Sequence, residues 1–213
     1  MRALVLAAVV AVTSATAVLP VKAETAVVAG GCFWCVESDL ESLPAVREVV
    51  SGYAGGTTLN PTYRNYDDGG HREVAKVDFD ESRLSYRDLI GIFLRTIDVT
   101  DAGGQFCDRG HAYSTAIYPL DDEQAKEAKA AIADAEKDLG KKIVTPVEKP
   151  AVFWPAEDYH QDYYKSSVRT LTRFGYVKRS DAYKGYRKGC GRDARVKAVW
   201  GAEAFKGLPV ATH

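Results

Sequence analysis

Cysteines at 32, 35, 107 and 190 are the chain's reactive sulfur, and the first sits where a thiol becomes reactive. Gly30-Gly31-Cys32-Phe33-Trp34-Cys35-Val36-Glu37 follows a short apolar run over 25–29 and precedes a segment of helical spacing. A glycine pair between strand and helix lets the backbone turn where a side chain would clash. That predicts Cys32 at a helix N-terminus, where free N–H groups and the helix dipole favour thiolate over thiol. Phe33 and Trp34 beside the sulfur build an apolar wall that a simple turn does not need. Four cysteines in an exported chain also fit two structural disulfides. Cys32 and Cys35, one helical turn apart, would gain least from a mutual staple.

Two long polar, glycine-rich segments carry the other groups that could do chemistry. The first, 57–73, holds Asn60-Pro61, Tyr63, Tyr66, Asp67-Asp68-Gly69-Gly70 and Glu73. The second, 98–113, holds Cys107, Asp108 and Tyr113. Loops this long inside a compact domain are usually functional. Taken singly, Glu73 also reads as a solvated charge, Tyr63 and Tyr113 as loop anchors, and Trp34 as core. His71, His111 and His160 have no metal-ligand spacing, so no metal site is expected.

The elements that must hold these loops follow from periodicity. Val36, Leu40 and Leu43 give a short helix ending near Pro44, and 45–53 is β-rich. Residues 73–79 alternate as a strand. Ser85 with Asp88 three residues on is an N-cap signal for a helix whose Leu89, Ile90, Phe93 and Ile97 share one face. A strand is predicted over 114–118, then an alanine-rich helix over 122–139 capped by Gly140. Strands are also predicted over 143–147 and 151–154, a short helix is admissible within 159–174, and the basic tail from Lys178 reads as surface coil. The expected fold class is α/β, an α+β two-layer sandwich.

The chain has 213 residues and opens with Met1-Arg2 and an uncharged apolar run over 3–19, followed by Val21-Lys22-Ala23. That is the n-region, h-region and cleavage site of a secretory signal peptide over 1–23, with an uncleaved anchor as the alternative. Removing 23 residues leaves 190, a single domain over 24–213 with a core about 25–175 and a tail 176–213. Losing Arg2 and Lys22 from 28 basic residues leaves 26 against 29 acidic, a net charge of −3. With no basic stripe, nucleic acid and anionic membrane are excluded as partners. The one methionine, Met1, leaves with the signal, which suits a protein working among oxidants.

GCFW followed by x-x-E, then NPTY at 60–63 and GHRE at 70–73, in that order, resembles the A-type peptide methionine sulfoxide reductases. SYRDLIGIFLRTID, AIYP after Tyr113 and AEDYHQDYY at 156–164 continue the likeness, which spans about 27–164. The resemblance implies a ferredoxin-like core with a mixed sheet, long functional loops and a coil-rich C-terminus. It implies that Cys32 is the nucleophile and Glu73 the proton donor to the sulfoxide oxygen. By the same likeness Tyr63 and Tyr113 hydrogen-bond that oxygen, and Asp108 organises the site. Phe33 and Trp34 resemble the pocket for the substrate methyl group, which selects the S epimer. Cys32 would be left as a sulfenic acid that a second thiol condenses to a disulfide. No bound cofactor is expected. The implied partners are oxidised methionine, in proteins or free, and a thioredoxin-like donor or dithiol; the chain is expected to be an exported, periplasmic monomer.

The sequence departs from the usual family pattern at Cys35, at Asp108-Arg109-Gly110-His111-Ala112-Tyr113 and at Gly189-Cys190-Gly191. Cys190, in a glycine-flanked tail, is the first candidate for the resolving thiol, Cys107 the second and Cys35 the third. A thioredoxin-like CxxC disulfide oxidoreductase is the enzymatic rival, though it needs a cis-proline partner and only Thr145-Pro146 offers one. A papain-like Cys32–His160 pair fails on the local placing of Trp34, and zinc would want a second CxxC. The non-enzymatic rival is a binding module held by two disulfides.

Overall fold

The computed structural model describes residues 23–209; the predicted signal peptide lies, but for Ala23, outside the described residues. The elements in order are β1 (Ala23–Gly30), α1 (Phe33–Glu41), β2 (Val46–Ala54), β3 (Arg72–Asp80), α2 (Tyr86–Leu94), β4 (Gly104–Gln105), β5 (Asp108–Arg109) and β6 (Thr115–Tyr118). There follow α3 (Asp122–Leu139), β7 (Trp154–Pro155), β8 (Arg169–Thr172), β9 (Gly175–Lys178), α4 (Arg179–Gly189) and α5 (Arg192–Trp200). The main sheet has five strands in the order β6-β1-β3-β2-β7. Its first four, with α1 and α2 as crossovers, trace the β-α-β-β-α-β path of a ferredoxin-like core. Every paired strand is antiparallel, and one parallel bridge, Ile117 to Val147, makes the sheet mixed.

Alternation along β1 splits its side chains between two faces. Ala26 and Val28 enter the main core with Val36, Leu40, Phe93, Ile97 and the alanines 128, 131 and 135 of α3. Val27 and Ala29 face the other side, under Ala151 and Phe153. The caps are as predicted: the Ser85 side chain accepts from the Asp88 N–H, and Gly140 ends α3 in the left-handed region at φ 67°.

The tail is not coil. Two helices occupy it because Ala182, Tyr183 and Arg187 line one buried stripe of α4, and Val196 and Trp200 one of α5. Val196, Trp200 and Phe205 belong to the main core, and the Trp200 indole donates to the Ile97 carbonyl at 3.1 Å, so the split into core and tail does not hold. Residues 143–147 form no strand beyond the Val147 bridge, the 151–154 piece reduces to β7, and 159–168 is turn and coil.

The glycine pair sets the nucleophile's position. A Cβ at Gly30 would lie 2.8 Å from Val36 Cγ2 and 2.9 Å from Phe93. Gly31 has φ +79°, and a Cβ there would lie 2.5 Å from Gln105 Cβ. Gln105, fully buried, is clamped by bonds to both the N–H and the carbonyl of Asp98, so the second loop is fixed under the turn. Gly31→Ala is expected to cost about 2 kcal/mol or more, combining positive-φ strain with that clash. Urea denaturation checks this; an unchanged midpoint contradicts it.

Candidate active site

Cys32 is the N-cap of α1, and its carbonyl accepts from the Cys35 N–H at 3.0 Å, but its side chain makes no cap bond. The sulfur is therefore not tied to the N–H groups of its own helix. Glu73, the second residue of β3, reaches it from the sheet. Its Oε2 accepts from the Phe33 N–H at 2.9 Å and its Oε1 from the Tyr66 hydroxyl at 3.2 Å. Glu73 is 2% exposed, and burial pushes its carboxyl up to about 8 against those two bonds. A solvated charge it is not.

Three phenols rim the carboxyl. Tyr66 is buried, Tyr113 half-buried and Tyr63 exposed, and the hydroxyl of Tyr113 interacts with those of both others. Burial raises all three, so they remain neutral donors. Tyr66 was not singled out because one loop offers two tyrosines three residues apart. The loop's turn, closed by the Tyr66 N–H on the Thr62 carbonyl, decides between them: it sends Tyr66 inward and Tyr63 outward.

The aromatic wall closes differently from the simple expectation. Phe33 is 1% exposed and forms a floor, with Tyr63 stacked on it at 6.5 Å. Trp34 lies flat on Tyr163 at 3.9 Å. His160 sits between them, 5.1 Å from Phe33, 5.6 Å from Trp34 and 4.5 Å from Tyr63. It is buried with neither ring nitrogen bonded, and burial lowers it to about 4, so the imidazole is neutral. Glu157 ties this segment to the tyrosine loop by accepting from the Tyr63 N–H at 3.1 Å. Glu37, the glutamate of GCFWxxE, is a clasp: it accepts from the Ser51 hydroxyl at 2.7 Å and the Asp162 N–H at 2.6 Å.

Asp108 approaches Cys32 from the second loop. With Cys32, Cys35, Cys190 and Arg192 it lines a cavity of about 30 Å³, and burial raises its carboxyl. The structure therefore gathers Cys32, Phe33, Trp34, Tyr63, Glu73, Asp108 and Tyr113 around one point. The three resolving candidates differ in state. Cys107 and Cys190 form a disulfide with Cα atoms 5.0 Å apart, while Cys32 and Cys35 are free. Cys190 is held by the C-terminus of α4 and by that bond, not by a flexible tail.

The thiolate expectation for Cys32 also needs correction. Its thiol hydrogen-bonds Cys35, and that bond, burial and the charges of Cys35, Glu73 and Asp108 raise it well above the ordinary thiol value. Cys35 is pulled down to about 7, first by the Cys32 thiol's hydrogen bond and then by the Arg192 and Arg187 guanidiniums, against burial. The two thiols are coupled, and burial together with the Glu73 and Asp108 charges opposes a Cys32 thiolate while the guanidiniums favour one on Cys35.

The comparisons agree with one another. The profile of a family described as "Peptide methionine sulfoxide reductase" matches residues 24–191. A "Peptide methionine sulfoxide reductase MsrA 2" of Rhizobium meliloti is 53% identical over 193 residues, covering 89% of this chain and 91% of its own. One of the same description from Caulobacter vibrioides is 41% identical, covering 92% and 95%. Among solved structures, methionine sulfoxide reductase A of Corynebacterium diphtheriae matches with TM-score 0.62 at 29% identity, over 66% of this chain and 73% of that one. Mxr1 from Saccharomyces cerevisiae in reduced form matches with TM-score 0.64 at 25% identity, over 75% and 94%.

Proposed function

This chain belongs to the peptide methionine sulfoxide reductase family, and on that premise we propose how its own residues carry the reaction. The protein is an oxidoreductase that reduces methionine sulfoxide at the expense of thiols. Cys32 is the nucleophile, Glu73 the acid, Tyr63, Tyr66 and Tyr113 the donors to the sulfoxide oxygen, and Phe33 with Trp34 the seat of the substrate methyl group. Asp108 lines the cavity beside the Cys32 sulfur.

The observation that carries this reading is the buried Glu73 carboxyl bonded to Phe33 N–H and Tyr66, beside the sulfur. A protonated Glu73 both supplies the acid and removes one charge that holds the Cys32 proton in place. The productive form is thus Glu73 neutral with Cys32 ionised, carrying the same net charge as the reverse. The thiolate attacks the sulfoxide sulfur while Glu73 protonates its oxygen. The hydroxyl then passes from the substrate sulfur to Cys32: the substrate S–O bond and the transient S–S bond break, the S–O bond of a Cys32 sulfenic acid forms, methionine departs with the electron pair on its sulfur, and Glu73 is left ionised. Cys35, the free neighbouring thiol, then condenses with Cys32, and a thioredoxin-like dithiol reduces the bridge.

The productive state holds one proton between Glu73 and Cys32, so the methionine-releasing step should rise with pH through about 8, where the first proton leaves, and fall only where the raised Cys32 thiol also ionises. Glu73→Gln should slow that step by roughly 10²–10⁴ and abolish the falling limb. Rapid-quench release of methionine from the S-sulfoxide measures both; an unchanged limb in the variant sinks the assignment of Glu73.

The apolar N-terminus supports export, with the periplasm as compartment and a mature chain starting at Glu24. N-terminal sequencing of the protein from the producing cells decides it, an intact Met1 being the contrary result.

A further inference from the structure

Arg192 is the largest fully buried side chain, 1% exposed, and no step above uses it. Its guanidinium lies 4.7 Å over the Phe106 ring, and Nη1 donates to the Gly30 carbonyl at 3.2 Å. Nε and Nη2 are buried without hydrogen-bond partners. Asp39 Oδ2 is 3.9 Å from Nε, beyond hydrogen-bond reach, because the Asp39 carboxylate is engaged by Arg187 at 2.7 and 3.4 Å. A buried guanidinium with donors unmade is costly unless an anion stands close by.

The cavity it faces is about the size of one water molecule and is lined also by Cys32, Cys35, Asp108 and Cys190. Cys190 is bonded to Cys107, and Asp108, raised by burial, is drawn down by the Arg192 charge. Beside Asp39 and Asp108, the groups there that can meet Arg192 as an anion are the thiols of Cys32 and Cys35, and the Arg192 charge lowers Cys35. The disulfide fixes this geometry from both sides, since Cys107 follows the ring under the guanidinium and Cys190 precedes Arg192 by two positions.

We propose that Arg192 is a positioning residue for the second step, holding Cys35 as the anion that attacks the oxidised Cys32 sulfur. This rests on the reading of Cys35 as resolving thiol. The Cys35 thiolate attacks Cys32–SOH; the S–S bond forms, the S–O bond breaks, and the hydroxide leaves with one proton as water. The Cys35 sulfur is oxidised and the sulfenic sulfur reduced. Facing Cys35 are Cys32 and Asp39 on its own helix, Glu73 from β3, Asp108 from β5, Tyr183 and Arg187 from α4, and Arg192 from α5. The guanidiniums outweigh Asp39.

The test is a single turnover of methionine S-sulfoxide without reductant by the full chain, comparing wild type, Arg192→Lys and Arg192→Met. Methionine release reports the first step, and peptide mass mapping of quenched samples reports disulfide closure. At pH 7 the ratio of closure to release should fall about tenfold in Arg192→Met and less in Arg192→Lys, and recover above about pH 9, where thiolate forms unaided. If Arg192→Met does not fold, the pH dependence of Arg192→Lys carries the same test. A ratio unaltered at every pH, or a loss that does not recover at high pH, overturns the inference alone. A wild-type bridge other than Cys32–Cys35 overturns the reading of Cys35, and this inference with it.

Discussion

Cys32→Ser is expected to abolish reduction of methionine sulfoxide while leaving the fold intact. The site presents one sulfur to the Glu73 carboxyl, and a serine hydroxyl at that position has neither the nucleophilicity nor the accessible ionisation to replace it. The fold should not suffer, because Cys32 is an N-cap whose side chain makes no cap bond, and serine is among the preferred N-caps. The variant should therefore unfold at the same urea concentration as wild type, or a slightly higher one. Methionine release indistinguishable from the uncatalysed rate is the expected result. Turnover above a hundredth of the wild-type rate would remove Cys32 from the reaction.

Cys35→Ser should separate the two halves of the cycle. One equivalent of methionine per chain is expected from a reductant-free mixture, followed by arrest with a sulfenic acid on Cys32. A thioredoxin-like donor should then support turnover at no more than about a hundredth of the wild-type rate, since it lacks the intramolecular bridge that a neighbouring thiol forms at high effective concentration. Cys190→Ser, by contrast, opens the clip to Cys107 without touching the free pair. It should loosen the α4–α5 end and preserve the Cys32–Cys35 bridge. Arrest after one equivalent in Cys190→Ser, with Cys35→Ser turning over normally, would reverse the assignment.

Much of the framework is legible in the residues because its signals are local. Ser85 with Asp88, Gly140 after an alanine-rich repeat, and Gly30-Gly31 before an aromatic run each state a backbone requirement that the fold meets. The reacting groups are legible by their order along the chain, and β3 brings Glu73 under α1 as that order requires. What escapes is set by distance in sequence. Four cysteines allow three pairings, and the 83-residue span from Cys107 to Cys190 carries no local mark of the one adopted. The helices of the tail hide among lysines and arginines, because their buried stripes are short and α4 spends part of its own on an arginine. Arg192 itself looks like one more surface charge; only the closing of α5 over Phe106 shows otherwise. What opposes a Cys32 thiolate escapes for the same reason. A helix N-terminus is visible in sequence, but the carboxyls of Glu73 and Asp108 that oppose it come from other strands.

The most direct test of the site as drawn is the disulfide map of the wild-type protein after one turnover of methionine S-sulfoxide, with thiols blocked at quench. The account predicts one new bridge, Cys32–Cys35, with Cys107–Cys190 unchanged and one equivalent of methionine released. A bridge from Cys32 to Cys190 or Cys107, or release of methionine with Cys32 still a free thiol, would contradict it.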